Sequence, residues 1–220
     1  MSRLPALARE VAAEPRRRMS GPGLAARQAL LEAARQLLRK KRKAEITLAE
    51  VARRAKVSRG STYFFYKDID ALYASLLREL EQQLLEVLRA PIRQDVKTWQ
   101  DVLALFVQRA AAYMRKDIAI CQLTIGVDTT PSQKVIDRAA DIVIGDTLLS
   151  QLEQLFELPP LANRSKIFFR AVEIGDLMLS LSMLEHDEIT DEYVDEGTRA
   201  AAAYLELYLP KHLPRKKPTA

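Results

Sequence analysis

The sequence predicts an all-α protein. A small N-terminal domain of three helices, containing a helix-turn-helix, is followed by a larger helical body, about nine helices in all. Leu and Ala dominate, with Glu, Arg and Lys behind them, residues that lose little on entering a helix. Apolar residues recur at helical spacing through most of the chain. Prolines fall between these runs, and only seven of the 220 residues are glycine, so few positions invite sharp loops.

Hydrophobic residues make up 48% and charged residues 29%, a balance that folds around a core. No run approaches the ~20 apolar residues of a transmembrane helix. Residues 1–20 are basic and alanine-rich and lack the apolar stretch of a secretory signal. The single cysteine, Cys121, cannot form an internal disulfide. The expectation is a cytoplasmic protein with no membrane partner. Charge is unevenly placed. Residues 1–67 carry 17 Lys+Arg against 5 Asp+Glu, net +12, and the remainder carries 17 against 24, net −7. A basic first third on an acidic body is the footprint of a polyanion-binding module.

Taken in order, residues 1–20, with Arg16-Arg17-Arg18, read as a basic flexible arm. Gly21-Pro22-Gly23 is punctuation. A first helix is predicted over about 24–40, with Leu30, Ala33, Ala34, Leu37 and Leu38 on one face. It ends in Arg39-Lys40-Lys41-Arg42-Lys43. These cations offset the negative end of the helix dipole, a role compatible with phosphate contact. Thr47-x-x-Glu50 is a capping box that starts a second helix, with Leu48, Val51, Ala52 and Ala55 facing inward. Lys56-Val57 is the turn, and Ser58 caps a third helix carrying Arg59, Ser61, Tyr63 and Phe64 outward. Phe65 and Tyr66 read as core. Residues 47–66 thus have the layout of a helix-turn-helix whose second helix fits a DNA major groove. Arg59 can make a bidentate contact to guanine, worth about 1–3 kcal/mol of discrimination.

These residues also carry a resemblance. Leu30-Leu31-Glu32-Ala33-Ala34, Thr47-x-x-x-Val51-Ala52-x-x-Ala55, Val57-Ser58-Arg59-Gly60-Ser61, Tyr63-Phe64-Phe65-Tyr66-Lys67 and Leu72, in that order and spacing, resemble the DNA-binding domain of the TetR (tetracycline-repressor-like) family of transcriptional regulators. The resemblance implies base contacts from Arg59, Gly60, Ser61 and Phe64, a phosphate clamp at Tyr63, and backbone contacts from Thr47 and Lys67. The chain departs from the pattern at Lys56, where a small or flexible turn residue is usual. It also departs at Arg42 and Lys43, at Thr62 in place of a leucine, and at Ile69 in place of a lysine.

Asp68 caps a fourth helix running to about residue 89, with Leu72, Leu76, Leu80 and Leu84 repeating every four residues, and Pro91 ends it. Domain boundaries follow: 21–80 for the helix-turn-helix domain, 81–210 for a helical ligand-binding and dimerisation domain, and 211–220 for a disordered tail. Thr98-x-x-Asp101 starts a helix over 99–116. The apolar stretch 118–127 is too short to assign from its pattern and is compatible with a buried helix. Thr130-Pro131-x-Gln133 starts a helix reaching about residue 156, and Pro159-Pro160 breaks the chain. A helix over 163–184 follows, apolar around more than a one-sided stripe, so that it needs cover on two sides. Thr190 caps the last helix, which ends at Pro210.

In the family the last two long helices pair with their copies. The resemblance therefore implies a homodimer through Phe168, Val172, Gly175, Leu179, Ala201 and Leu205. Two recognition helices would then meet a near-palindromic double-stranded DNA operator. It also implies a small-molecule effector in the body, for which Trp99, Tyr113, Cys121 and Met178 are the candidate contacts.

Nothing recommends catalysis. His186 and His212 sit apart in a turn and a tail, Cys121 has no histidine near it in sequence, and there is no glycine-rich phosphate loop, Cys pair or His-x-x-x-His. No metal or cofactor is expected. The reading is a ligand-responsive repressor. The alternatives are a DNA-binding protein that needs no ligand, or a helical module that binds an acidic protein partner.

Overall fold

The computed structural model describes residues 21–92, 96–126 and 129–216. Nine α-helices lie among them: α1 Gly21–Leu38, α2 Leu48–Ala55, α3 Arg59–Phe65, α4 Ile69–Leu88, α5 Trp99–Lys116, α6 Ile118–Thr124, α7 Pro131–Leu155, α8 Arg164–His186 and α9 Asp191–Leu205. A single 3-10 turn, Lys43–Glu45, separates α1 from α2. The arm at 1–20 lies outside the described residues. Among them, no helix is long and apolar enough to cross a membrane.

Local chemistry explains where the helices begin. α1 is described from Gly21, so Gly21-Pro22-Gly23 lies within the helix and does not precede it. Thr98 and Asp101 cap α5 reciprocally: Asp101 N donates to Thr98 Oγ1 at 3.2 Å and Thr98 N to Asp101 Oδ2 at 2.9 Å. Thr130 and Gln133 do the same for α7, at 2.9 and 3.4 Å. Thr190 Oγ1 accepts from Tyr193 N at the start of α9.

The chain divides into two compact units. The first holds residues 21–82 with 117–139, and the second holds 83–116 with 140–216. The first unit therefore takes in α6 and the start of α7, a stretch that sequence reading placed in the body. Its core is built from Leu30, Leu31, Ala34 and Leu38 of α1, Val51 of α2 and Leu72, Tyr73, Leu76 and Leu77 of α4, all essentially inaccessible.

In the second unit α8 packs on both α7 and α9. A Cβ at Gly145 would lie 2.7 Å from Phe169 N and 2.9 Å from the Phe168 carbonyl carbon, so α7 and α8 meet backbone to backbone. Gly197 of α9 faces Gly175 of α8 in the same manner, with the Gly175 carbonyl oxygen 3.3 Å from the Cβ position. Alanine normally improves a helix interior by up to about 1 kcal/mol over glycine. At Gly145 the clash reverses that sign: Gly145→Ala is expected to cost about 1–3 kcal/mol, measured as a lower urea midpoint at unchanged slope.

This packing corrects the expected dimer residues. Phe168, Gly175, Leu179, Ala201 and Leu205 are buried inside the single chain, and only Val172 stays partly exposed. A broad apolar stripe tells that a helix is covered on two sides, but not which residues the chain covers itself. On α8 the large apolar residues left outside are Leu177 and Leu184, one heptad apart and 55% and 64% exposed, and Leu207 and Tyr208 are exposed just beyond α9.

The expected disordered tail is also corrected. α9 ends at Leu205, and the chain turns through 206–209. Trp99 Nε1 donates to the Pro210 carbonyl at 3.0 Å, Glu157 N to Pro214 O at 2.8 Å, and Lys216 N to Leu155 O at 2.9 Å. The Arg215 guanidinium lies 5.8 Å from the Phe156 ring centroid. Residues 211–216 are therefore strapped onto the second unit.

Candidate nucleic-acid interface

The turn between α2 and α3 sets the aim of α3. α2 opens with Glu50 N donating to Thr47 Oγ1 at 3.2 Å. The Glu50 carboxyl is held below its ordinary range, chiefly by the hydrogen bond from Lys41, with the Thr47 amide adding to it. α2 closes on Lys56, whose φ of 55° and ψ of 33° place it in the left-handed region. Lys56 N donates to Arg53 O at 3.3 Å and Val57 N to Ala52 O at 3.1 Å. This paired closure is a Schellman motif, which usually places glycine where Lys56 stands. Lys56→Gly is expected to stabilise the protein by about 0.5–1 kcal/mol, because the relief of left-handed strain exceeds the added freedom of the unfolded chain. Thermal unfolding of the two chains in parallel checks this.

α3 is short and two-sided. Ser58 caps it, Oγ accepting from Ser61 N at 3.1 Å. Thr62, the departure from the family's leucine, points inward and is fully buried; its hydroxyl donates to Ser58 O at 2.9 Å, which satisfies it. Tyr66 is buried behind it, and Phe65 is half-buried. On the opposite side Arg59, Gly60, Ser61, Tyr63 and Phe64 are all exposed, Tyr63 at 48% and Phe64 at 59%. The Arg59 guanidinium sits over the Tyr63 ring, 5.6 Å from its centroid. The Phe64 ring meets Phe65 edge-on at 5.3 Å. Lys67 is exposed just past the helix, 3.7 Å from the Asp68 carboxylate. Exposed aromatics cost solvation, and here they share a face with a cation and no carboxylate. That surface can read base edges and thymine methyl groups.

Members of the basic run 39–43 also make contacts that the sequence did not reveal. Arg39 donates to Asp117 through Nε and Nη2, both at 3.0 Å, and Arg35 donates to the same carboxylate. Lys41 pairs with Glu50 at 2.7 Å and Arg42 with Glu45 at 3.0 Å. Lys43 is buried: its Nζ donates to Gln133 Oε1 at 2.6 Å and lies 5.9 Å from the centre of the Tyr73 ring. Lys43 N donates to Gln122 Oε1 at 2.7 Å, and the Gln122 amide donates to the carbonyls of Leu38 and Lys41. Arg39 and Lys43 thus fasten the end of α1 to α6 and to the start of α7, while Lys40, Lys41 and Arg42 stay exposed, Arg42 at 85%.

Sequence reading missed Asp117. Burial alone would raise its pKa, but the hydrogen bonds from Arg39 and Arg35 outweigh that and hold the carboxyl below its ordinary value. The carboxylate also caps α6 through Ala119 N at 3.3 Å. An acid directly before an apolar run, with Arg35 in α1 and Arg39 just past its end, four residues apart, was the available signal.

The candidate effector contacts fall in both units. Trp99 is wholly buried and bound to Pro210 O; Tyr113 donates to Gln83 Oε1 at 3.2 Å. Cys121 belongs to the first unit, fully buried, with its thiol pushed up to about 12 by that burial. Met178 lies where α8 crosses Gly197 of α9.

Two family descriptions match the chain: "Bacterial regulatory proteins, tetR family" over residues 30–76 and "Tetracyclin repressor-like, C-terminal domain" over 97–209. No curated protein matches. Among solved structures, a TetR-family transcriptional regulator from Streptomyces coelicolor is similar at a TM-score of 0.65 and 18% identity, covering 84% of this chain and 99% of that one. SmeT, the repressor of the Stenotrophomonas maltophilia multidrug efflux pump SmeDEF, is similar at 0.57 and 17%, covering 83% and 90%. Reduced NemR from E. coli is similar at 0.58 and 15%, covering 85% and 98%. At these identities the structural likeness concerns the fold.

Proposed function

The chain belongs to the tetR family of bacterial regulatory proteins and is a DNA-binding transcriptional regulator; from that premise we propose a ligand-responsive repressor that acts as a homodimer on a near-palindromic operator. The observation that carries the DNA-reading part is the outward face of α3, where Arg59, Gly60, Ser61, Tyr63 and Phe64 are exposed together. In this reading Arg59, Ser61 and Phe64 meet base edges, with Gly60 allowing close approach, while Thr47, Tyr63 and Lys67 meet phosphates. Repression by a regulator of this fold is supported by the description of SmeT as a repressor. Regulation by a small molecule draws on a similar structure described as a SmeT–triclosan complex, at a TM-score of 0.53 and 16% identity. The effector would shift the population between two half-site spacings, only one of which suits the operator.

Leu177 and Leu184 supply the apolar contact for the dimer, in place of the buried residues the sequence pointed to. Light scattering and gel shift on the upstream region of the protein's own gene test this. The expected result is two chains in solution and two per duplex, with Leu177→Asp/Leu184→Asp giving single chains whose operator affinity falls at least tenfold. A single wild-type chain per operator would overturn the dimer.

A further inference from the structure

In the second unit, one face of α7 and the residues that follow α4 line an open cleft of about 580 Å³. Val143, Asp146, Thr147, Ser150, Gln151 and Gln154 line it from α7 at helical spacing, and Arg89, Pro91 and Ile92 line it from the other side. The volume lies within the range that small-molecule sites occupy, roughly 300–1,000 Å³.

Its polar groups are unequal in kind. Gln151 is only 7% exposed, and its Nε2 donates to two carbonyls, Leu88 O at 2.6 Å and Ala90 O at 3.3 Å. Both partners are acceptors, so the amide nitrogen must face them and the amide cannot be flipped. Oε1 is then a buried acceptor with no donor among the described residues. Such an atom costs free energy until a donor reaches it. Thr147 adds to this bias: its hydroxyl proton goes to Val143 O at 2.7 Å, so that oxygen also offers only lone pairs. Arg89 and Asp146 contribute one charge of each sign, which favours neither an anion nor a cation. Pro91, Ile92, Val143 and Leu155 provide apolar surface.

We propose that this cleft binds a neutral, amphipathic small molecule that donates a hydrogen bond to Gln151 and Thr147 while its apolar part lies against Pro91, Ile92 and Val143. Its regulatory meaning rests on the reading that a small molecule controls DNA binding; the binding itself does not.

Isothermal titration of the full chain with three probes of similar shape tests the proposal: 4-phenylphenol, its methyl ether 4-methoxybiphenyl, and biphenyl-4-carboxylate. The phenol is expected to bind at least tenfold more tightly than the ether, which lacks the donor, and than the anion. Thr147→Val, and Ser150→Trp at an exposed position facing the cleft, are each expected to weaken the phenol at least tenfold with unchanged thermal unfolding. No binding by any probe, equal binding of phenol and ether, or indifference to both variants overturns the site. A change in particle mass on Ser150→Trp would assign the cleft to a second copy of the chain, and also overturns it. Phenol binding that obeys these rules but leaves DNA affinity unchanged upholds the site and removes the regulatory reading.

Discussion

Asp117→Ala is expected to destabilise the protein by about 2–4 kcal/mol, the largest effect of any single polar substitution considered. Breaking a buried ion pair costs roughly 3–5 kcal/mol because the surviving charge is left without compensation. Here Arg39 is 42% exposed, so part of that cost is screened, while Arg35, at 17%, feels most of it. The substitution also removes the cap of α6. The sign of the pH dependence follows from the depressed carboxyl. Between its folded value and the ordinary value near 3.8, the unfolded chain binds a proton that the folded chain does not. The carboxylate's contribution is therefore complete above that ordinary value and is lost as pH falls through the folded value. Asp117→Asn removes this contribution and should show a shallower loss of stability than wild type on going from pH 5 to pH 3. Urea unfolding followed by circular dichroism at pH 7, 5, 4 and 3 measures both effects. A wild-type slope retained in Asp117→Asn would mean that other carboxyls govern the acid limb.

Arg59→Ala is expected to lower operator affinity by about 1–3 kcal/mol, roughly fivefold to 150-fold, with little change in stability. Arg59 is exposed at the first position of α3, so its removal opens no core cavity. Among the described residues its partner is the Tyr63 ring, and an exposed cation–π contact is worth about 0.5–1 kcal/mol. Tyr63→Ala should behave differently. A phosphate contact carries no sequence information, so that variant should weaken operator and non-specific duplex alike.

Much of this arrangement was legible in the chain because its signals are local. The boxes at Thr47, Thr98 and Thr130, and the caps at Ser58 and Thr190, each act within three residues, so spacing alone reveals them. The outward Tyr63 and Phe64 and inward Tyr66 follow from the helical period. What was not legible depends on distant partners. Asp117 meets Arg35 across 82 positions, and Lys43 meets Gln133 across 90. Those contacts turned Lys43 and part of Arg39 into fastenings, left Lys40, Lys41 and Arg42 exposed, and drew α6 into the unit that carries the helix-turn-helix. The dimer residues were misassigned for a related reason: a helix covered on two sides looks the same in sequence whether the second cover is α9 or another chain. The cleft residues of α7 were missed because Asp146, Thr147, Ser150 and Gln154 read as an ordinary wet face until Arg89, Pro91 and Ile92 are placed opposite them.

The central claim is that α3 reads DNA sequence through its outward face. Fluorescence anisotropy at one fixed salt concentration, comparing a duplex from the gene's own upstream region with a scrambled duplex, tests it most directly. The account predicts that wild type prefers the operator by at least a hundredfold. Arg59→Ala should shrink that ratio about fivefold or more, and Tyr63→Ala should lower both affinities while leaving the ratio nearly unchanged. A wild-type ratio near one, or a ratio that Arg59→Ala does not alter, would contradict it.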